Sequence, residues 1–192
     1  AHFKRMVFIK IHHIHTDNLR AECENLNIFD KVYLTGTVYT ARDAAHKKIF
    51  ELIAQNSPLP FDIKDAVIYF AGPTPTPKGM AIGSCGPTTS GRMNPYTPKL
   101  MDMGLVCTIG KGERSKEVYD AIVRNKGVYL CSIGGAGALA AKCITSCEVI
   151  AFPELGCESV KRLTVEEFPL IVCADSHGKN IFDEGKKQYS ML

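Results

Sequence analysis

The run Gly86-Pro87-Thr88-Thr89-Ser90-Gly91-Arg92-Met93 gathers backbone donors, three hydroxyls and a guanidinium within eight residues. Its glycines let the main chain approach a ligand closely, and Arg92 offers a planar fork that matches a carboxylate or phosphate. That is the chemistry of an anion site, although the run holds no obvious general base. The same residue types also build an ordinary turn with one solvated arginine. Two further segments carry a cation in a comparable setting, Thr40-Ala41-Arg42-Asp43 and Gly110-Lys111-Gly112. Arg42 also reads as a solvated helix side chain, and Lys111 as a surface lysine paired with Glu113. A fourth segment, Gly134-Gly135-Ala136-Gly137, satisfies a relaxed dinucleotide fingerprint as Gly135-x-Gly137-x-x-Ala140, with Glu154 beyond it. It comes late and leads into a strand-rich region, which favours tight helix-to-strand packing over nucleotide binding.

The elements that must position these loops follow from periodicity. Residues 31–39 form a β-branched and aromatic run that predicts a strand, with Thr40 capping a helix over 41–54. Residues 66–71 predict a buried strand, and the prolines of 72–79 impose a loop or extended connection. A short helix near 98–103, a strand at 105–109, a helix at 115–125, a strand at 128–133 and a helix at 137–145 continue the alternation. Residues 148–152, 160–165, 170–174 and 180–182 all read as strands, with His177 in the turn joining the last two. In open α/β sheets, ligands sit beyond the carboxyl ends of strands, where helix amino termini favour anions. Arg42, Arg92 and Lys111 are therefore expected around one site, and a dicarboxylate suits them.

Composition bounds the rest. A chain of 192 residues, 45% hydrophobic and 22% charged, fits one globular domain. A net charge of +3 without a dense basic stripe argues against nucleic acid. Residues 128–141 are uncharged but too short and glycine-rich to span a membrane, and residues 1–15 lack the features of a signal peptide. The eight scattered cysteines without a C-x-x-C read chiefly as buried hydrophobes in a reducing, cytoplasmic compartment. Cys143, Cys147 and Cys157 match no common ligand spacing, although the first two would share a face of one helix. His12, His13 and His15 near the terminus are weak evidence for a metal.

Together, Tyr39-Thr40-Ala41-Arg42-Asp43-Ala44-Ala45-His46, Tyr69-Phe70-Ala71-Gly72-Pro73, the 86–93 run and Gly110-Lys111-Gly112 resemble the beta subunit, or carboxyl-terminal domain, of class I iron-sulfur fumarases and L-tartrate dehydratases. The resemblance covers the chain from about residue 31 onward, in the family's order, with residues 1–15 expected to be a loosely attached amino-terminal segment. It implies an α/β fold with a mixed sheet, of the swivelling β/β/α type. It also implies a hydro-lyase for a dicarboxylate, with fumarate or malate favoured and tartrate the alternative; a non-catalytic dicarboxylate-binding module is a reading from another class. In the family a four-iron four-sulfur cluster is bound by an alpha subunit, so the resemblance implies a heterodimer or larger assembly in which this chain supplies no metal ligand. By match to the family pattern, Arg42, Arg92 and Lys111 would hold the carboxylates, and Thr88 with Thr89 would line the reacting carbon. Asp43 and His46 would orient Arg42 or pass a proton, with helix capping and surface pairing as the plainer role.

Overall fold

The computed structural model describes residues 9–132 and 137–189. The chain begins with strand β1 (Ile11–His15), a short helical turn α1 (Leu19–Glu22) and the long strand β2 (Lys31–Thr40). Alternate residues of β2, among them Val32, Leu34 and Val38, are buried, as its period-two pattern requires. Helix α2 (Asp43–Ala54), strand β3 (Val67–Tyr69), helix α3 (Thr97–Asp102), strand β4 (Cys107–Gly110), helix α4 (Lys116–Arg124) and strand β5 (Val128–Ser132) continue the alternation. Helix α5 (Gly137–Cys143), strands β6 (Ile144–Ala151) and β7 (Val160–Ala174) and helix α6 (Ile181–Tyr189) complete the described chain.

Strands β2, β3, β4 and β5 pair in parallel, in that order. Strand β7 returns antiparallel to both β5 and β2, so these five strands close into a ring, flanked by β1 on β2 and β6 on β7. This is the mixed sheet of the expected α/β class. One core is built from one face of every ring strand, with Val32, Tyr69, Ile109, Leu130 and Val172 among its members, and takes in residues of α1 and α5. The second lies under α2, α3 and α4, where Ile68, Phe70 and Tyr129 meet Ile49, Leu100 and Ile122.

Several expected elements differ in the structure. The strands expected at 160–165 and 170–174 are one, β7, continuous through a kink at Glu167, whose φ of 48° is left-handed and whose N–H donates to Thr35 Oγ1 at 3.1 Å. Pro169 lies within β7 opposite Tyr33, and a proline with no N–H to donate made the run look broken. Of the strand expected at 180–182, Asn180 alone forms a bridge, to Ala174; its Oδ1 then accepts the Asp183 N–H at 2.8 Å as α6 begins. The helix expected at 137–145 gives way to β6 at Ile144, so Cys143 and Cys147 share no helix face. Of the amino-terminal segment, residues 11–15 pair in register with Lys31 to Thr35, while residues 1–8 lie outside the described residues. Residues 134–136 of the glycine-rich fingerprint also lie outside them. His177 occupies the turn expected for it, its N–H donating to Asp175 Oδ1 at 3.0 Å.

Candidate active site

The registers Thr40 to Tyr69, Tyr69 to Ile109 and Ile109 to Leu130 align the carboxyl ends of four parallel strands. Arg42 follows Thr40 by two residues and Lys111 follows Ile109 by two, on strands separated by two spacings, roughly 10 Å. The loop 86–93 crosses this row of strand ends. Ala71 bridges Pro87, and the Thr88 N–H donates to the Phe70 carbonyl at 2.7 Å. Farther along, Thr89 bridges Lys111, the Ser90 N–H donates to the Lys111 carbonyl at 2.9 Å, and the Lys111 N–H donates to Ser90 Oγ at 2.9 Å. Two segments that sequence alone treats as separate are thus one small ladder.

Ser90 is the buried pivot of that ladder. Its Oγ lies 2.9 Å from the Tyr129 hydroxyl, which lies 2.8 Å from the Gly112 carbonyl. A carbonyl only accepts, so the Tyr129 proton goes to Gly112 and the Ser90 proton to Tyr129. Of the three hydroxyls in the run, that of Ser90 is therefore committed inward, whereas Thr89 is exposed and Thr88 half-buried. Gly110 is required here, because a Cβ on it would sit 1.9 Å from Ser90 Oγ.

Arg42 occupies the N-cap position of α2 with extended backbone (φ −109°, ψ −164°) and makes no side-chain cap. Thr40 is not the cap expected of it: as the last residue of β2 it donates from Oγ1 to the Ser159 carbonyl at 3.4 Å and accepts the Lys161 N–H at 3.1 Å. The Arg42 side chain lies across Gly72, where a Cβ would come within 3.0 Å of Nη1. Its Nε stands 3.2 Å from Glu158 Oε1, yet that buried nitrogen has no aligned acceptor. We read this as a loose ion pair: a carboxylate is attracted to Arg42 without satisfying it. Glu158 ends a turn pinned from beneath by Lys161, whose buried ammonium reaches the carbonyls of Gly156 (3.2 Å), Cys157 (3.1 Å) and Ser159 (3.2 Å). Burial lowers the pKa of that lysine.

Arg92 and Lys111 are exposed. Arg92 projects from a single 3-10 turn, Ser90–Met93, anchored by buried Ser90 and Met93. The expected pairing of Lys111 with Glu113 is absent, since Glu113 pairs with Lys186. Neither Arg92 nor Lys111 forms an ion pair among the described residues. A cavity of about 250 Å³ beside Lys111, walled by Cys131, Ile171 and Phe182, is too apolar to house a dianion. Arg92 and Lys111 instead reach solvent, while Arg42 is half-buried.

His46 is fully buried between the rings of Phe70 and Tyr96, and its Nδ1 lies 2.8 Å from the Arg42 carbonyl. Burial pushes its pKa down to about 4, so the ring is neutral and donates from Nδ1 to that carbonyl, while Nε2 is left without a partner. It holds the Arg42 main chain, and its enclosure removes it from solvent. No hydrogen bond or ion pair of the Asp43 side chain to Arg42 occurs among the described residues. Arg114, Lys161 and Glu158 were missed by sequence reasoning. Arg114 closes the segment Gly110-Lys111-Gly112-Glu113-Arg114, and its proximity to that motif was the one available signal.

The sequence profile described as Fumarase C-terminus matches residues 4–185. The chain belongs to the fumarase C-terminal family. Among relatives, it is 42% identical over 170 residues to fumarate hydratase 2 of Leishmania major, a match covering 88% of this chain and 30% of that protein. It is 42% identical over 166 residues to the anaerobic class I fumarate hydratase of Escherichia coli K12, covering 85% and 30%. A putative L(+)-tartrate dehydratase subunit beta of Methanocaldococcus jannaschii is 39% identical over 180 residues, covering 90% and 92%. This member of the family therefore spans about 30% of the length of those fumarate hydratases and nearly all of that beta subunit.

Proposed function

We propose that this chain supplies the carboxylate clamps of a hydro-lyase that adds water to, or removes it from, a dicarboxylate, fumarate and malate foremost. The observation that carries the reading is the Thr89 to Lys111 ladder, which fastens the 86–93 loop to the strand end bearing Lys111, two strands from Arg42. Removing a proton next to a carboxylate builds negative charge on that group, and fixed cations stabilise it as it forms. In this reading Arg42, Arg92 and Lys111 hold the two carboxylates, and Arg42 exchanges Glu158 for one of them. Thr88, whose backbone is tied to Phe70, presents its hydroxyl to the carbon that gains or loses the proton, with Thr89 beside it. A hydroxyl acts as a base only with strong electrostatic help, which the neighbouring cations give. Asp43 takes no part in this scheme, and His46 holds Arg42 without moving a proton.

Among the described residues no group of three or more His, Cys, Asp or Glu can hold a metal ion. The described donors do not fit the four-iron four-sulfur cluster implied by the family resemblance, and we assign that cluster to an alpha portion of the enzyme. Arg92 and Lys111, exposed and without an ion pair among the described residues, support a site completed by such a second surface, which would exclude water and strengthen the clamps. Eight free cysteines support a reducing compartment, the cytoplasm. No helix among the described residues is long and apolar enough to cross a membrane. The match to most of a putative tartrate dehydratase beta subunit keeps tartrate as the second substrate. The test is anaerobic turnover of fumarate, malate and tartrate by this chain assembled with its alpha partner. Conversion of one of them is expected; binding without turnover of any would leave a dicarboxylate-binding module instead.

A further inference from the structure

Arg114 is an expensive residue to bury. Only 4% of it is exposed, and no carboxylate is bonded to it among the described residues. A buried guanidinium without a counterion destabilises the fold relative to an apolar side chain of similar size. Its desolvation is large enough to bring even an arginine down to about 10. What the charge secures is geometry. Nε donates to Asn94 Oδ1 at 2.8 Å, Nη2 to Thr97 Oγ1 at 2.6 Å and Nη1 to Thr108 Oγ1 at 3.2 Å. Its Cζ also lies 5.1 Å from the ring centroid of Phe70 and 5.1 Å from that of Tyr129, within cation–π range.

Four of these five partners adjoin the site. Asn94 directly follows the turn that projects Arg92. Thr108 lies in β4, three residues before Lys111. Phe70 accepts the Thr88 N–H through its carbonyl, and Tyr129 secures Ser90 and Gly112. We propose that Arg114 is a positioning residue, a single planar fork that sets the segments bearing Thr88, Arg92 and Lys111 in register with one another. A lysine would be a point charge in the same space, without the planar fork that makes three directed bonds while its Cζ stays within range of both rings. The proposal rests on the hydro-lyase reading for its effect on turnover, but not for its effect on the loops.

The test compares wild type, Arg114→Lys and Asn94→Ala in complex with the alpha partner. Asn94→Ala removes one acceptor from the fork and leaves the charge and the core in place. Amide exchange in residues 88–93 and 110–112 is expected to quicken at least about tenfold in Arg114→Lys and by less in Asn94→Ala, with β2 and β7 unchanged. Turnover of the lysine variant should fall on the order of 100-fold, chiefly in kcat, because alignment is most demanding at the transition state. Unchanged exchange in both segments of both variants overturns the proposal, whatever the complex catalyses. Loosened loops with kcat and KM within about twofold of wild type would overturn it equally. A wild-type complex inert toward every dicarboxylate would sink the hydro-lyase reading alone, and the exchange comparison would still decide the role of Arg114.

Discussion

At the scale of single residues, the two exposed cations and the buried imidazole behave in opposite ways. Arg92 and Lys111 have no ion pair to lose among the described residues, so Arg92→Met and Lys111→Met should leave the unfolding temperature within about 2 °C of wild type. The same changes should depress kcat/KM of the assembled enzyme by roughly 100-fold or more; steady-state kinetics beside a thermal melt checks both. His46 should show itself through acid instead. Its pKa falls from 6.5 to about 4 on folding because burial disfavours the imidazolium, with Arg114 adding to the effect and Asp43 opposing it. Below pH 6.5 the unfolded chain takes up a proton that the folded chain refuses until about pH 4. The stability present above that window should be lost across it, by about 3 kcal/mol. Denaturant titrations from pH 7 to 4 should register the loss, and His46→Gln should flatten that part of the profile.

At the scale of elements, the site depends on how strand ends are laced together. Gly110→Ala should break the lacing, since its Cβ would meet Ser90 Oγ at 1.9 Å and Phe70 at 3.0 Å. A cost of about 2 kcal/mol and a loss of activity beyond tenfold are expected, measured by chemical denaturation and kinetics. Lys161→Met should act more locally. The carbonyls of Gly156, Cys157 and Ser159 lose their shared donor, and the turn carrying Glu158 should loosen, raising its amide exchange while β7 stays protected. Strands β2 to β5 and helices α2 and α4 were legible because each has a strong period and a clear start, whereas β1, parallel to β2, was not. The length of β7 was not, because Pro169 and the bend at Glu167 resemble a break when only local pattern is available. Likewise Arg42, Arg92 and Lys111 could be picked out as cations beside glycines and hydroxyls. The role of Arg114 could not, because nothing in its neighbours along the chain tells that Phe70, just past β3, and Tyr129 of β5 will come within cation–π range of it.

At the scale of the whole molecule, closure of the ring couples distant segments of sequence. β7 pairs with β2 across more than a hundred residues of chain and with β5 as well, so no ring strand can leave without breaking two ladders. Amides of β2, β5 and β7 should therefore exchange only through global unfolding, while the exposed stretch 74–81 exchanges early. Hydrogen exchange resolved by segment checks this, and a ring strand exchanging as fast as that stretch would contradict closure.

Closure also concentrates the exposed backbone of the sheet. Every strand of the ring has both flanks occupied over part of its length, so the outer flanks of β1 and β6 are the sheet's free edges among the described strands. Both bear solvent-facing apolar side chains, Ile11 on β1 and Val149 on β6, and an unpaired apolar edge is a template for another chain. Short length and charged neighbours keep these edges quiet: β1 is five residues long, and Arg162 and Glu148 pair beside β6. A truncation that removed β1 would bare the outer flank of Lys31 to Thr35, transferring the hazard from a short outrigger to a strand that holds the ring shut.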